Sequence, residues 1–254
     1  MPRKGRYSLC TSRSKLLLRK MANTTESLDL YAKVEDLLEN TEAIETLYGI
    51  YYEILNQLTF HSLLDVGCGS GAYLAQLQQH FPAVKAKGID LSSVMVDRAK
   101  EKGVDAEAVD LCDLDGKYDV ITAVFDMMNY LPPEALGGFF SCVNEHLNDG
   151  GYFIFDVNTL YGFENVAVGA YIIEDERRFL AIDSDFEERV YQAEFSLFEK
   201  QENGCYERST QMVRQFYHSI EDLIQKSGMK PISTEEIFLY GFDKADKLIV
   251  IFRK

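Results

Sequence analysis

Apolar and polar residues are arranged along residues 62–158 in a pattern typical of repeated strand–helix units. Short apolar runs alternate with segments whose apolar positions recur with a helical period. The pattern predicts strands near Ser62–Val66, Ala86–Asp90, Ala106–Val109, Tyr118–Phe125 and Tyr152–Val157. It predicts helices near Tyr73–Gln79, Val94–Lys102 and Pro133–Leu147. Because strands that alternate with helices usually pair in parallel, we expect a parallel sheet with helices on both faces.

The pattern changes on both sides of this region. Residues 27–58 carry apolar side chains at helical spacing, which predicts helices before the first strand. Residues 165–217 form long alternating runs, and Asn203-Gly204 between the last two runs is a strong hairpin signal. We expect an antiparallel insertion there, lying over the carboxyl ends of the parallel strands as a substrate lid and offering a surface for a homodimer. The pattern ends with a helix at Ser219–Ser227 and strands at Ile232–Leu239 and Lys247–Phe252.

The motif Asp65-x-Gly67-x-Gly69-x-Gly71 directly follows the first apolar strand. Glycines without a Cβ atom let a ligand approach the backbone, and the first turn of the next helix offers unpaired N–H groups. The same stretch, written Gly67-x-Gly69-x-x-Ala72, also satisfies the dinucleotide fingerprint with Ala in the last place. The glycines alone therefore leave two classes of cofactor open.

The carboxylate of Asp65 separates these two classes. It would repel a pyrophosphate at short range, whereas it suits a cofactor with an ammonium or sulfonium centre. With this acid in front, the motif resembles the first motif of the class I S-adenosylmethionine-dependent methyltransferases. The resemblance covers roughly residues 28–254 and implies S-adenosyl-L-methionine as cofactor, with S-adenosyl-L-homocysteine as product. It implies an α/β fold: a seven-stranded Rossmann-like sheet with helices on both faces, a reversed last strand and an antiparallel β insertion after strand five.

Acidic residues at later strand ends extend the resemblance. Asp90 ends the second strand, where a carboxylate can accept both ribose hydroxyls. By resemblance, Asp110 takes the adenine amino group and Leu111 packs on the ring. The resemblance also implies that an aromatic residue of the early helices, for which we choose Tyr31, covers the cofactor. The expected cofactor-binding residues are Tyr31, Asp65, Gly67, Cys68, Gly69, Gly71, Asp90, Leu91, Met95, Asp110, Leu111 and Phe125.

Methyl transfer from a sulfonium needs little more than a positioned acceptor and the exclusion of water. The candidate catalytic residues lie at the ends of strands four and five, and they are Asp126, Asn129, Tyr130 and Asp156. Asn129-Tyr130 departs from the Asn/Asp-Pro-Pro-Tyr/Phe signature of the amide and adenine N-methylating branches. That departure argues against nucleobase and glutamine methylation.

The charge is distributed unevenly over the 254 residues, whose net charge is −15. Residues 1–20 contain seven basic and no acidic side chains, so residues 21–254 carry a net charge of −22. A body this acidic repels phosphate backbones, which disfavours nucleic acid as a substrate. We expect residues 1–20 to be a disordered basic extension without a part in the fold, and 21–254 to be the methyltransferase domain with 165–217 as its lid.

The cysteines and histidines predict neither a disulfide frame nor a metal site. The five cysteines are an odd number without a C-x-x-C pair, and the four histidines are scattered. We expect reduced thiols in a cytoplasmic protein. No run of 18 apolar residues occurs, so no membrane span is expected.

The preferred hypothesis is methyl transfer to a nitrogen or oxygen of a small molecule. A second hypothesis is a tRNA or protein methyltransferase that uses residues 1–20 as a basic arm. A third is a nicotinamide-dependent oxidoreductase, and a fourth is a non-catalytic cofactor-binding protein whose lid recruits a partner.

Overall fold

The computed structural model describes residues 25–38 and 41–254, which form two β-sheets and six α-helices. The helices are α1 (Thr25–Leu38), α2 (Thr41–Asn56), α3 (Ala72–His80), α4 (Ser93–Glu101), α5 (Leu136–His146) and α6 (Ile220–Ser227). The larger sheet contains β1 (Ser62–Val66), β2 (Lys85–Asp90), β3 (Ala106–Ala108), β4 (Tyr118–Ala123), β5 (Leu147–Asn158), β10 (Lys230–Ile237) and β11 (Lys247–Arg253). The smaller sheet contains β6 (Gly169–Glu174), β7 (Arg178–Glu187), β8 (Val190–Lys200) and β9 (Tyr206–Phe216).

The seven-stranded sheet has the order β10-β11-β5-β4-β1-β2-β3. Strands β1 to β5 pair in parallel, and β11 runs antiparallel to both β5 and β10. The predicted α/β sheet with a reversed last strand is therefore confirmed. Since β1 lies between β2 and β4, the strand order reverses beside it, and such a point opens a ligand crevice at the carboxyl ends of the strands.

The four-stranded antiparallel sheet is the predicted insertion, and it follows β5 as expected. One of its faces packs against the N-terminal helix α1. Leu30 and Val34 of α1 share a buried cluster with Leu180, Phe195 and Val213 of the insertion. Burial of these apolar side chains fixes the sheet on α1. On its other side, α1 contacts Arg98 of α4. The helix therefore lies between the insertion and the layer of helices on the seven-stranded sheet.

Local backbone geometry differs from the prediction at two strand ends. Strand β4 ends at Ala123. Shortly after it, Phe125 and Asp126 have φ values of 59° and 61°. Left-handed backbone is unusual for residues other than glycine, and it ends the strand earlier than the apolar run predicts. Strand β3 ends at Ala108, because Asp110 caps the 3₁₀ turn Leu111–Asp113 by accepting the Cys112 N–H at 2.8 Å.

The prediction that all cysteines are reduced is wrong for one pair. Cys112 and Cys142 form a disulfide, with their Cα atoms 5.1 Å apart. The 3₁₀ turn that carries Cys112 packs on α5, which carries Cys142, and no spacing in the sequence reveals that contact. Cys68 is buried and free, and Cys205 is exposed and free. Cys10 and the predicted basic extension, 1–20, lie outside the described residues.

No helix in the described ranges is long and apolar enough to cross a membrane.

Candidate functional site

The glycine loop, residues 67–71, connects β1 to α3 at the centre of the sheet. The backbone N–H groups of Gly67 and Cys68 donate to the Ile89 carbonyl at 2.8 and 3.0 Å. Gly71 precedes α3 with φ 75°, and a Cβ atom there would lie 2.8 Å from Cβ of Ala99. Only glycine satisfies both the backbone conformation and this contact. The loop is therefore a tight turn whose outer side is backbone, as the motif predicts.

Asp65 lies directly behind the glycine loop and is 2% exposed. Its carboxylate accepts the Thr122 hydroxyl at 2.7 Å, and burial raises its pKa to about 8. The nearby hydroxyl of Tyr73 is buried and has no hydrogen-bond partner within the described ranges. A buried carboxylate beside an unsatisfied phenol is an environment that a ligand's ammonium and carboxylate groups would stabilise.

Asp90 ends β2 and ties the second strand to the glycine loop. Its Oδ2 accepts the Gly69 N–H at 3.0 Å, and its Oδ1 accepts the Ser92 N–H at 2.8 Å. Burial raises its pKa. The Leu91 N–H also donates to this carboxylate. Since a carboxylate has about four acceptor positions, about one remains for a ribose hydroxyl. The ribose-binding role of Asp90 stays a prediction.

The residues predicted to hold an adenine gather at the ends of β2 and β3. Leu91 is 55% exposed, which is unusual for an apolar residue beside a crevice, and Met95 and Leu111 are buried. Asp110 is exposed at the start of the 3₁₀ turn. The exposed side chains of Leu91 and Asp110 would suit a flat heterocycle with an amino group, because one offers an apolar surface and the other a hydrogen-bond acceptor. The side chain of Tyr31 lies outside the described residues, although its backbone belongs to α1.

Cys68 supports the glycine loop from inside. Burial raises the pKa of its thiol, and its Sγ would lie 2.7 Å from a Cβ atom at Gly88. It is therefore packed under the loop as an apolar side chain. The sequence predicted a contact with the cofactor through its backbone position, and that prediction stays untested.

Helix α1 contacts the glycine loop through Glu35, a residue that no sequence pattern singles out. Glu35 Oε1 accepts the Ser70 hydroxyl at 3.1 Å, and Arg98 on α4 lies 3.9 Å from Oε2. Arg98 also donates to the Ala32 carbonyl at 2.5 Å. These contacts hold α1 against the glycine loop and α4, while the expectation that an early helix covers the cofactor stays a prediction.

The turn after β4 is shaped by Asp156, a candidate catalytic residue at the end of β5. Asp156 is fully buried, and four donors surround its carboxylate. Oδ1 accepts the Phe125 N–H at 2.7 Å and the Tyr51 hydroxyl at 2.9 Å, and Oδ2 accepts the Asp126 N–H at 3.0 Å and Lys247 Nζ at 3.2 Å. This arrangement holds two consecutive residues in left-handed backbone, a form of strain that concentrates at functional sites.

Asn129 and Tyr130 lie on the short 3₁₀ helix Met127–Tyr130. The amide of Asn129 is fully buried; it donates to the Phe216 carbonyl at 2.9 Å and accepts the Asn158 N–H at 2.9 Å. It therefore connects the crevice to strand β9 of the insertion. Tyr130 packs against the cluster that joins the insertion to α1. The geometry gives both residues a part in holding the insertion, and a part in chemistry stays a prediction.

Lys247 is a second charged residue of the site that the sequence analysis did not select. It begins β11, is 2% exposed, and forms ion pairs with Asp126 and Asp156. In the sequence it reads as the polar start of an apolar strand, so only the pairing of β11 with β5 brings it to the crevice.

No three histidine, cysteine, aspartate or glutamate side chains converge into a metal site within residues 25–38 and 41–254.

Comparisons with known proteins agree with the family resemblance. Residues 63–151 match the protein family described as "Methyltransferase domain". A malonyl-[acyl-carrier protein] O-methyltransferase of Acetivibrio thermocellus is 27% identical over 185 residues, which are 68% of this chain and 58% of that protein. A dTDP-3-amino-3,4,6-trideoxy-alpha-D-glucopyranose N,N-dimethyltransferase of Streptomyces venezuelae is 34% identical over 95 residues, 35% of this chain and 39% of that protein. The chain thus spans under two thirds of the length of these relatives.

The fold has the same architecture as a solved protein. The crystal structure of an S-adenosylmethionine-dependent methyltransferase from Clostridium acetobutylicum superposes with a TM-score of 0.68, covering 89% of this chain and 96% of that chain at 22% identity. At that identity the likeness concerns the fold. It extends beyond residues 63–151 and includes most of the described elements.

Proposed function

We propose that the chain, which resembles the class I S-adenosylmethionine-dependent methyltransferases, transfers the methyl group of S-adenosyl-L-methionine to a nitrogen or oxygen of a small molecule. S-adenosyl-L-homocysteine would be the product. The observation that carries the proposal is the glycine loop with Asp65 behind it and Asp90 beside it, at the point where the strand order reverses.

The residues present fit this cofactor. Asp65 and the unsatisfied Tyr73 hydroxyl offer a charge and a hydrogen bond to its amino-acid end. Asp90 offers an acceptor to the ribose, while Leu91 and Asp110 lie where the adenine would be held. When bound, the cofactor supplies a methyl group on a positively charged sulfur, which leaves readily as a thioether.

The chain's own contribution to catalysis would be positioning and the exclusion of water. The turn at Phe125 and Asp126 lies beside the glycine loop, because Met127 Cγ is 2.5 Å from the place a Cβ atom would take on Gly67. The insertion, which packs on α1 and is tied to Asn129, would with that helix close the crevice from the solvent side. Aromatic side chains of the loop between β10 and β11, Phe238, Tyr240 and Phe242, are partly exposed and would form the outer wall for an acceptor.

The class of acceptor is supported by charge and by the relatives. The relatives named above methylate an acyl-carrier-bound malonyl group and an amino sugar, according to their names, so both oxygen and nitrogen acceptors remain open. A net charge of −22 over residues 21–254 disfavours a nucleic acid acceptor. A homodimer through the four-stranded sheet, a location in the cytoplasm and a domain boundary at residue 21 stay predictions.

Calorimetric titration of the purified protein tests the proposal. We expect micromolar binding of S-adenosyl-L-methionine and S-adenosyl-L-homocysteine, and none of reduced nicotinamide dinucleotide. Asp90→Ala should weaken binding by about 1.5–3 kcal/mol, the value of a hydrogen bond to a charged group. The exposed Asp97→Ala on α4 serves as control and should bind like the wild type. If neither adenosyl compound binds, the proposal is wrong.

A further inference from the structure

The ammonium of Lys247 is enclosed by three oxygen atoms at the carboxyl ends of β4 and β5. Its Nζ contacts Asp126 Oδ1, donates to Asp156 Oδ2 at 3.2 Å, and donates to Asn158 Oδ1 at 3.0 Å. Because an ammonium has three N–H donors, each has one acceptor here. A lysine that is 2% exposed is costly unless it is paired in this way.

The two carboxylates beside Lys247 differ in what they can still bind. Asp156 is fully buried and already accepts four donors, so its carboxylate is committed to the turn after β4. Asp126 has its Oδ1 buried against Lys247, but its side chain as a whole is 21% exposed. The exposed part of Asp126 therefore lies on the side away from Lys247, and the next residue, Met127, packs against Gly67 of the glycine loop.

The polar and titratable groups around this cluster come from five elements. Asp126 lies on the turn after β4, and Asp156 and Asn158 lie on β5. Tyr51 of α2 donates to Asp156, and Asp65 of β1 is near enough to be affected by the charge of Asp156. The last group lies on the loop before β11, where Asp246 accepts the Leu239 and Tyr240 N–H groups, and the charge of Asp156 raises the pKa of Tyr240.

Ion pairing and burial act in opposite directions on this cluster. Burial lowers the pKa of Lys247 to about 7 and raises the pKa of Asp156 to about 7. The three oxygens around Lys247 and the four donors around Asp156 favour their charged forms. One ammonium between two carboxylates leaves the cluster with a net negative charge. Of the two carboxylates, only Asp126 is partly exposed, so it is the one that a ligand in the crevice could contact.

We propose that Lys247 is a positioning residue that keeps Asp126 ionised and turned toward the crevice, where the free side of this carboxylate pairs with a cationic amine of the methyl acceptor. The inference rests on the proposed function, because it assigns an acceptor class to the same crevice. Without Lys247, Asp126 and Asp156 would be two adjacent carboxylates, and one of them would take up a proton at neutral pH.

Two adenosyl compounds provide the test, since no acceptor is needed. S-adenosyl-L-homocysteine carries a neutral thioether, whereas sinefungin has a carbon in place of the sulfur and a protonated amine in place of the transferable methyl group. Both share the same amino-acid end, so the charge of Asp65 affects them equally and cancels in the ratio of their dissociation constants. We expect the wild type to bind sinefungin about 10- to 150-fold more tightly than S-adenosyl-L-homocysteine, the range for a charge-assisted hydrogen bond.

Variants separate positioning from stability. Asp126→Asn should bring the ratio close to one at every pH. Lys247→Met should bring the ratio closer to one and make it rise with pH, because Asp126 and Asp156 then share a proton that Lys247 no longer displaces. Lys254→Met is the matched control, because Lys254 directly follows the other end of β11 and its Nζ donates to the carbonyls of Asn144 and Leu147. It should leave the ratio unchanged.

The outcomes distinguish the inference from the proposed function. If neither compound binds the wild type, the proposed function fails. If both bind equally tightly, or if Asp126→Asn keeps the preference, the proposed function survives and the inference is overturned. A pH-independent ratio in a folded Lys247→Met variant would overturn the role of Lys247. If that variant does not fold, the ratios of the wild type and of Asp126→Asn still decide whether Asp126 pairs with an amine.

Discussion

Binding of S-adenosyl-L-homocysteine should release a proton from Asp65. The carboxyl group is 2% exposed, and burial raises its pKa to about 8. At pH 7 the free protein therefore holds about 0.9 proton on Asp65, since the pH is one unit below the pKa. A ligand ammonium placed beside the carboxylate favours its ionised form and expels that proton.

The release depends on pH in a defined way. If the ligand lowers the pKa of Asp65 well below 6, each binding event releases about one proton from Asp65 at pH 6, about 0.9 at pH 7 and about 0.5 at pH 8. The affinity then rises nearly tenfold from pH 6 to pH 7 and flattens above pH 8. Stability of the free protein changes in the opposite direction. Because the folded pKa lies above the unfolded value, the folded state binds more protons, so this group's contribution is lost as pH rises from about 4 through 8.

Isothermal titration calorimetry in phosphate, HEPES and Tris measures the release, because these buffers differ in their enthalpy of ionisation. Asp65→Asn should abolish the buffer dependence and weaken binding. Asp119→Asn is a suitable control. Asp119 lies at the start of β4, away from Thr122, which contacts Asp65 near the end of that strand, and it accepts the His61 N–H at 2.8 Å. Proton release that is absent in the wild type, or that persists in Asp65→Asn, would refute the assignment of Asp65 to the ligand's ammonium.

Two further predictions concern stability. Replacing Cys112 and Cys142 together by serine should destabilise the protein by about 3.6 kcal/mol, the chain-entropy value for residues 30 apart. Urea unfolding with and without reductant measures this loss of stability. Equal unfolding midpoints would show that the disulfide contributes nothing. Asn129→Ala should cost about 2–4 kcal/mol, because it leaves the Asn158 N–H and the Phe216 carbonyl without their partner. Asn165→Ala, at an exposed position, is its control in the same unfolding measurement, and a change in cofactor affinity without a loss of stability would contradict the proposed connecting role.

The sheet was predictable because its signals are local. Apolar runs such as Leu63-Leu64 and glycines at 67, 69 and 71 mark a buried strand and a turn without reference to the rest of the chain. The hairpin at Asn203-Gly204 is marked in the same way, and β8 and β9 flank it as expected. For these elements the sequence pattern and the structure differ by a few residues at the ends.

The candidate site was predictable only in part, because its remaining contacts join distant segments. Lys247 meets Asp156 only through the antiparallel pairing of β11 with β5, and Glu35 meets Ser70 only when α1 folds over the loop. Cys112 and Cys142 likewise become neighbours by packing. The left-handed turn at Phe125 depends on a carboxylate that lies 31 residues further along the chain. No local pattern carries such information.

The position of α1 between the insertion and the glycine loop bears on the order in which the chain folds. Its Leu30 N–H donates to the side chain of Gln211, 181 residues away, and its Lys33 carbonyl accepts Arg178, 145 residues away. During synthesis, these partners leave the ribosome long after the helix does. Contacts of such long range form late and slow the folding of a domain. Helix α1 is thus synthesised early but docks late, and the crevice is complete on this side only after the insertion has folded.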